Sequence, residues 1–208
     1  MPYLVPETVS EALVLLRDRR PVVVAGCTDV LPTRRQGDRT DDILDVTGLS
    51  DLRGITGGPQ GWRIGAATTW AEIAAAPLPP AFDALRQAAA EVGAIQIQNA
   101  GTVAGNLCNA SPAADGVPPL LVLEAEVELA SAAGRRRLAL SDFITGVRRT
   151  ARAADELVVA LHLPQPPTDA WRRAPHRCTP RLFKPGLKQC RANALPSAGS
   201  SRPRPSPS

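Results

Sequence analysis

The chain has 208 residues, of which 44% are hydrophobic, so it is long enough for one domain or two small subdomains with a packed core. Its net charge is +4, but residues 165–208 hold nine Arg or Lys and one acidic residue, so the first 164 residues carry 15 basic and 19 acidic groups. This acidic body has no interleaved aromatic and basic residues, which excludes a nucleic-acid-binding function. No signal peptide or membrane-spanning apolar run is present, so we expect a soluble cytoplasmic protein without membrane contact.

The N-terminal 53 residues have the pattern of a small α/β unit. Thr8 and Glu11 have capping-box spacing, which predicts a helix that ends in the basic turn 17–20. Residues 22–25 and 42–46 predict two strands. A tight turn of small residues follows the first strand, and N–H groups at such a strand end can meet a phosphate. The candidate binding residues here are Val23, Val24, Ala25, Gly26, Cys27, Thr28, Asp29 and Val30.

The next part of the chain predicts a hairpin and two helices. Residues 54–69 alternate around a glycine-rich turn, which favours a hairpin. Thr69 and Glu72 form a second capping box and predict a short helix. Residues 80–92 are rich in alanine with one apolar face, which predicts another helix.

Residues 96–119 are rich in Gly, Asn, Ser and Pro and predict a long irregular loop, a type of segment that often binds a ligand. Small residues within it would let backbone N–H groups approach an anion. Asp115 could accept hydrogen bonds from sugar hydroxyls. Most small-residue loops bind nothing, so this motif alone does not establish a site. The candidates are Thr102, Val103, Ala104, Gly105, Asn106 and Asp115.

The remainder of the body predicts a short helix at 120–124, a strand pair at 127–130 and 137–140, and a last strand at 155–163. The charged residues here have default structural interpretations. Residues 135–137 are three arginines, which we expect at a solvated hairpin tip rather than in a docking patch.

Acidic and histidine residues give no sign of hydrolytic chemistry. Glu124, Glu126 and Glu128 alternate with apolar residues and are expected to face solvent. Neither histidine has a plausible Ser or Cys partner, which argues against a hydrolase triad. The four cysteines lack the close-pair spacing of zinc or iron–sulfur ligands, so we expect no metal on this chain.

Three motifs in this order carry a family resemblance: AGCTD at 25–29, TVAGN at 102–106, and NASPAAD ending at Asp115. Together they resemble the FAD-binding subunit or domain of the molybdenum hydroxylases, which include xanthine dehydrogenase and carbon monoxide dehydrogenase. The resemblance runs from about residue 2 to residue 164. It implies non-covalent FAD, with its pyrophosphate on the first two motifs.

The resemblance also implies a fold and an assembly. The fold would be the α+β, two-subdomain FAD-binding fold of the PCMH (vanillyl-alcohol-oxidase-like) type, with subdomains at 1–53 and 54–164. Partner subunits would carry a molybdenum cofactor and iron–sulfur clusters, and this chain would pass their electrons through FAD to NAD or another acceptor. The alternatives are a stand-alone flavin oxidoreductase, or a truncated non-catalytic relic or docking fragment.

Two departures from the family pattern are visible. Cys27 and Ala104 stand where many relatives have glycine, which restricts close backbone approach unless φ is negative there. Residues 165–208 contain nine of the 21 prolines and no amphipathic period, where the family has an ordered continuation. We expect a disordered or frameshifted tail, or alternatively a basic interaction tail.

Overall fold

A computed structural model describes residues 2–30 and 42–165. These residues lie within one compact unit, Met1–Arg177. Apart from its first residue, the predicted tail at 165–208 lies outside the described residues. In the part that is described, no helix is long and apolar enough to cross a membrane. The division into subdomains at residue 53 stays a prediction.

The secondary structure alternates short strands with short helices. The strands are β1 (Tyr3–Leu4), β2 (Val22–Val24), β3 (Ile43–Asp45), β4 (Ile55–Gly58), β5 (Gly61–Gly65), β6 (Glu126–Ser131), β7 (Gly134–Ala139), β8 (Ile144–Gly146), β9 (Arg149–Thr150) and β10 (Leu157–Leu163). The α-helices with both ends described are α1 (Val9–Arg19), α2 (Trp70–Ala75), α3 (Asp83–Glu91), α4 (Ile95–Ala100), α5 (Val103–Asn109), α6 (Val117–Val122) and α7 (Leu140–Phe143). Single 3₁₀ turns cover Ser50–Leu52 and Pro80–Phe82.

A small parallel sheet of order β1-β3-β2 forms the N-terminal layer. Helix α1 begins as predicted at Thr8, whose hydroxyl accepts the N–H of Glu11 at 3.1 Å. The Glu11 carboxylate accepts the N–H of Glu7 at 2.8 Å, so only half of the capping box forms. The helix ends at Arg20, which has a left-handed backbone with φ 47°.

A larger antiparallel sheet of order β4-β5-β10-β6-β7 forms the centre of the molecule. The predicted hairpin is confirmed as β4 and β5, which pair from Ile55↔Ile64 to Gly58↔Gly61. Helix α2 carries a complete capping box between Thr69 and Glu72, also as predicted. This sheet positions the helices that build the candidate site.

Two apolar clusters fill the space on either side of the large sheet. The larger cluster packs helices α2, α3, α5, α6 and α7 on one face, with Trp70, Phe82 and Phe143 among its largest buried side chains. The smaller cluster joins α1 and the small sheet to the large one. Its buried members are Val9, Ala12, Leu16, Leu44, Val46, Leu49, Leu52, Ala67, Ala130, Leu157 and Val159.

The central segment 96–119 differs from its prediction. It was expected to be irregular, but most of it lies in helices α4, α5 and the start of α6. The intrinsic helix propensity of this segment is weak, so contacts with other parts of the chain stabilise the helix starts instead. The predicted helix at 120–124 begins earlier, at Val117, where prolines at the next two positions fit a first helical turn.

Candidate functional site

A cavity of about 330 Å³ lies between helix α5 and the segment that follows β2, residues 25–30, which we call the first loop. The structure brings most of the predicted binding residues to this cavity. Those that line it are Val23, Val24, Ala25, Gly26, Cys27, Thr28, Asp29, Val30, Thr102, Gly105 and Asn106. Val103 and Ala104 are buried in the core, and Asp115 is exposed; these three residues do not line the cavity.

The first loop offers unused backbone donors. Within residues 2–30 and 42–165, the N–H groups of Gly26, Cys27 and Thr28 donate to no protein acceptor. Cys27 has φ 56°, a left-handed conformation. Successive N–H groups around such a residue form a concave arrangement that suits an anion. The loop therefore has the donor set that a phosphate group needs.

The N-terminus of α5 differs from the first loop, because the N–H groups of residues 103–106 already have acceptors within the described part of the chain. The assignment of residues 102–106 to the binding site stays a prediction. Each N–H of the first turn already has an acceptor. The pairs are Val103 to the Thr68 carbonyl (3.0 Å), Ala104 to the Ala66 carbonyl (3.2 Å), Gly105 to the Thr102 hydroxyl (3.1 Å) and Asn106 to the Thr102 carbonyl (3.1 Å). The helix start is docked against the chain that leads into α2, so its donors are used for structure.

The contribution of α5 to the cavity is instead a side-chain acceptor. Oδ1 of Asn106 is buried and has no hydrogen-bond partner in the described part of the chain. An unsatisfied buried polar atom costs about 1–3 kcal/mol, so such an atom indicates a missing partner. Because Asn106 lines the cavity, a ligand hydroxyl or N–H is a suitable donor.

These features fit a flavin dinucleotide in part. Free N–H groups suit its pyrophosphate, and the Asn106 carbonyl suits one of its hydroxyl or N–H groups. A volume of about 330 Å³ lies at the lower end of the roughly 300–1,000 Å³ that is usual for ligand pockets. A cofactor of the size of FAD would occupy this cavity only in part.

Six residues that line the cavity were not among the predicted binding residues: Trp70, Val92, Ile97, Gly101, Cys108 and Asn109. Trp70 is 1% exposed, and its backbone N–H donates to the Gly101 carbonyl at 3.1 Å. Four of the six lie within the predicted segment 96–119, whereas no local pattern marks Trp70 and Val92, whose place at the site depends on contacts between distant parts of the chain.

The thiol of Cys27 has the properties of a packing group. Burial, and then the negative charge of Asp45, raises its pKa, so the protonated form is favoured. A protonated thiol is a poor nucleophile. Cys27 and Cys108 are both free, and both line the cavity. Among the described residues, no group of three or more His, Cys, Asp or Glu side chains is arranged to hold a metal ion.

Glu128 corrects a second expectation, because it is buried rather than facing solvent. Its carboxylate lies 2.5 Å from His162 Nε2 and 3.0 Å from Arg135 Nη1. Arg136 forms a two-point pair with Glu156 at 2.5 and 2.8 Å. The three arginines at 135–137 are exposed near the hairpin turn, as expected, and the first two also pair with buried carboxylates away from the cavity.

The fold class is that of the two-subdomain α+β FAD-binding proteins, because solved structures of this class superpose on the chain. The chain matches the structure described as reconstituted CO dehydrogenase from Oligotropha carboxidovorans with a TM-score of 0.76 and 27% identity, covering 81% of this chain and 60% of that one. Residues 1–166 match the family described as "FAD binding domain in molybdopterin dehydrogenase", and the chain belongs to this family, whose cofactor is FAD. The predicted fold class and family are thereby confirmed.

Curated relatives agree with this assignment. The putative xanthine dehydrogenase FAD-binding subunit of Escherichia coli (strain K12) is 36% identical over 166 residues, covering 78% of this chain and 57% of that protein. The nicotinate dehydrogenase FAD-subunit of Eubacterium barkeri is 36% identical over 172 residues, covering 79% of this chain and 58% of that protein. This chain thus spans less than two thirds of the length of these relatives.

Proposed function

We propose that this chain binds FAD without a covalent bond and serves as the FAD-binding part of a molybdenum hydroxylase. The observation that carries the proposal is that one cavity is lined both by three first-loop N–H donors and by the Asn106 Oδ1, all without a hydrogen-bond partner among the described residues. Donors on one wall and an acceptor on the other match the pyrophosphate and the polar groups of a dinucleotide. Membership of the FAD-binding family supports the same ligand.

The proposed roles follow from the geometry. The N–H groups of Gly26, Cys27 and Thr28 hold the pyrophosphate, and the remaining first-loop residues shape the cavity. Asn106 accepts a hydrogen bond from the ligand, and Gly105 lies beside it in the cavity lining. Asp115 meets a sugar hydroxyl only if the ligand extends beyond the cavity, because Asp115 is exposed and lies outside it.

FAD, when bound, supplies the electron-transfer chemistry, so the chain needs no acid, base or nucleophile of its own. The proposed partners are a molybdenum-cofactor subunit and an iron–sulfur subunit or domain, with NAD or another acceptor taking the electrons. Relatives named as an FAD-binding subunit and as a carbon monoxide dehydrogenase medium chain support an assembly of several subunits. The substrate of such an assembly depends on the partner.

The first test is the visible absorption spectrum of the purified full chain, followed by titration with FAD. Flavin bands at near one FAD per chain support the proposal. Saturable binding without any partner-dependent reduction of the flavin would favour a docking or relic role for the chain. No FAD binding would refute the proposal. NAD reduction is then measured with candidate partner subunits added, and with the chain omitted as the control.

A further inference from the structure

A chain of hydrogen bonds links the first loop to the N-terminal strand. The Thr47 hydroxyl donates to the Ala25 carbonyl at 3.0 Å, and the Thr47 N–H donates to Asp45 Oδ1 at 2.8 Å. The Tyr3 hydroxyl donates to the other oxygen of Asp45. These contacts run from β1 through the end of β3 to the residue that precedes Gly26.

The protonation states of Tyr3 and Asp45 favour these hydrogen bonds. The hydrogen bond to Asp45 raises the pKa of Tyr3 to about 12, so Tyr3 remains a donor. Burial acts to raise the pKa of Asp45, but hydrogen bonds from Thr47 and Tyr3 outweigh it and hold the pKa below its usual value. Asp45 therefore stays an ionised acceptor near neutral pH.

The hydrogen bond from the Thr47 hydroxyl to the Ala25 carbonyl determines the direction in which the Gly26 N–H points. The Ala25 carbonyl and the Gly26 N–H belong to one planar peptide unit, and the described residues contain no cis peptide bond. In a trans peptide the C=O and N–H bonds point in opposite directions. When Thr47 holds the carbonyl on one side, the Gly26 N–H is directed to the side away from Thr47.

Two further hydrogen bonds restrain the backbone around Thr47, one at the preceding residue and one at Thr47 itself. The Val46 N–H donates to the Val24 carbonyl at 3.0 Å, which fixes the preceding peptide unit of the loop against β3. The Arg53 Nε donates to the Thr47 carbonyl at 3.2 Å. Because these hydrogen bonds restrain the backbone at residues 46 and 47, they help to hold the Thr47 hydroxyl in position against the loop.

We propose that Thr47 is a positioning residue for the cofactor: through the Ala25 carbonyl it orients the Gly26 N–H toward the pyrophosphate of a bound dinucleotide. This inference rests on the proposed function. Thr47 does not line the cavity, so its proposed effect on the pyrophosphate is transmitted through the Ala25–Gly26 peptide unit. The loop donors are thus preorganised before the ligand arrives, which avoids the cost of ordering them on binding.

The test compares Thr47→Val, which removes the hydroxyl and keeps the shape, with Thr47→Ser, which keeps the hydroxyl. Thr56→Val is the matched control, because Thr56 is exposed on β4 and does not line this cavity. FAD dissociation constants and urea unfolding of the FAD-free protein are measured for the full chain. We expect Thr47→Val to raise Kd about 5-fold, within the range of one hydrogen bond, while Thr47→Ser and Thr56→Val stay within about 2-fold of wild type.

The outcomes separate this inference from the proposed function. If the wild-type chain binds no FAD, both are refuted. If the wild-type chain binds FAD and Thr47→Val binds it equally well, only the inference is refuted, even where unfolding shows lower stability. If Thr47→Ser loses as much affinity as Thr47→Val, the hydroxyl is not the cause, and the inference is again refuted.

Discussion

Gly26 of the first loop lies directly against the carbonyl of Ala100, the last residue of α4. A Cβ built on Gly26 would come within 1.7 Å of the Ala100 oxygen and within 2.9 Å of the Gly101 nitrogen. Real Cβ atoms do not approach backbone this closely, so only glycine allows this contact. The contact closes one wall of the cavity between the two predicted binding segments.

Gly26→Ala is therefore expected to push the first loop away from α4. We expect a loss of about 1–3 kcal/mol in the free energy of unfolding, as for overpacked sites, and at least roughly tenfold weaker FAD binding. Urea unfolding and FAD titration measure the two effects. Gly58→Ala is the control, since a Cβ at Gly58 meets nothing within 4 Å. Equal behaviour of the two variants would contradict the close contact.

Asn106→Ala is expected to separate stability from binding. Removing the unpartnered oxygen relieves a buried unsatisfied group, and alanine is a better helix former. The free energy of unfolding should stay constant or rise by about 1 kcal/mol, while the Kd for FAD rises about 5-fold. Gln60→Ala, at an exposed hairpin position, should change neither value. Loss of stability without loss of affinity would assign Asn106 a purely structural role.

Cys27→Gly tests the backbone conformation of the first loop. Residue 27 has φ 56°, where side chains other than glycine lose roughly 1–2 kcal/mol. Because glycine also gains entropy in the unfolded chain, we expect a net gain of about 0.5 kcal/mol in the free energy of unfolding. Cys27→Ala removes the thiol but keeps the Cβ, so it should give no gain. Thermal unfolding of both variants distinguishes the backbone effect from loss of the sulfur.

The contacts of Glu128 predict that the free energy of unfolding falls in acid. Burial acts to raise its pKa, but hydrogen bonds from His162 and Arg135 outweigh it and lower the pKa from the ordinary value of 4.5. The folded protein therefore binds this proton less readily than the unfolded chain. The contribution of Glu128 is present above pH 4.5 and is lost as the pH falls through the lower pKa of the folded state.

Glu128→Gln should accordingly lower the free energy of unfolding by about 2 kcal/mol at pH 7, with a smaller difference from wild type at low pH. Urea unfolding measured from pH 7 down to acid gives the comparison. Glu126→Gln on the same strand is the control, because Glu126 is exposed. A constant difference at every pH would mean that ionisation of Glu128 does not contribute.

Arg136→Lys tests the two-point pair with Glu156, since a lysine ammonium cannot reproduce the planar fork of arginine. We expect a loss of about 1 kcal/mol in the free energy of unfolding. Arg137→Lys, on the same strand and exposed, should change it little. Equal losses would show that charge alone, and not the fork geometry, accounts for the pair.

Local signals in the sequence predicted the regular elements well. Side-chain caps at Thr8 and Thr69 act within four residues, so their helices could be predicted from spacing alone. The hairpin at β4 and β5 followed from alternation around a glycine turn. The helices of the central segment were missed, because carbonyls of Ala66 and Thr68 about 35 residues earlier accept the N–H groups that start α5.

For the site, the sequence by itself identified the family and predicted two binding segments from the ordered motifs at 25–29 and 102–106. Only the tertiary structure decided how each segment contributes. Within the described residues, the N–H groups of Gly26, Cys27 and Thr28 in the first loop have no acceptor, whereas those of residues 103–106 in α5 have acceptors in the chain, and α5 presents the Asn106 oxygen to the cavity. The physical reason is that a backbone donor is available to a ligand only when no distant part of the chain supplies an acceptor, and spacing in the sequence does not specify those long-range partners.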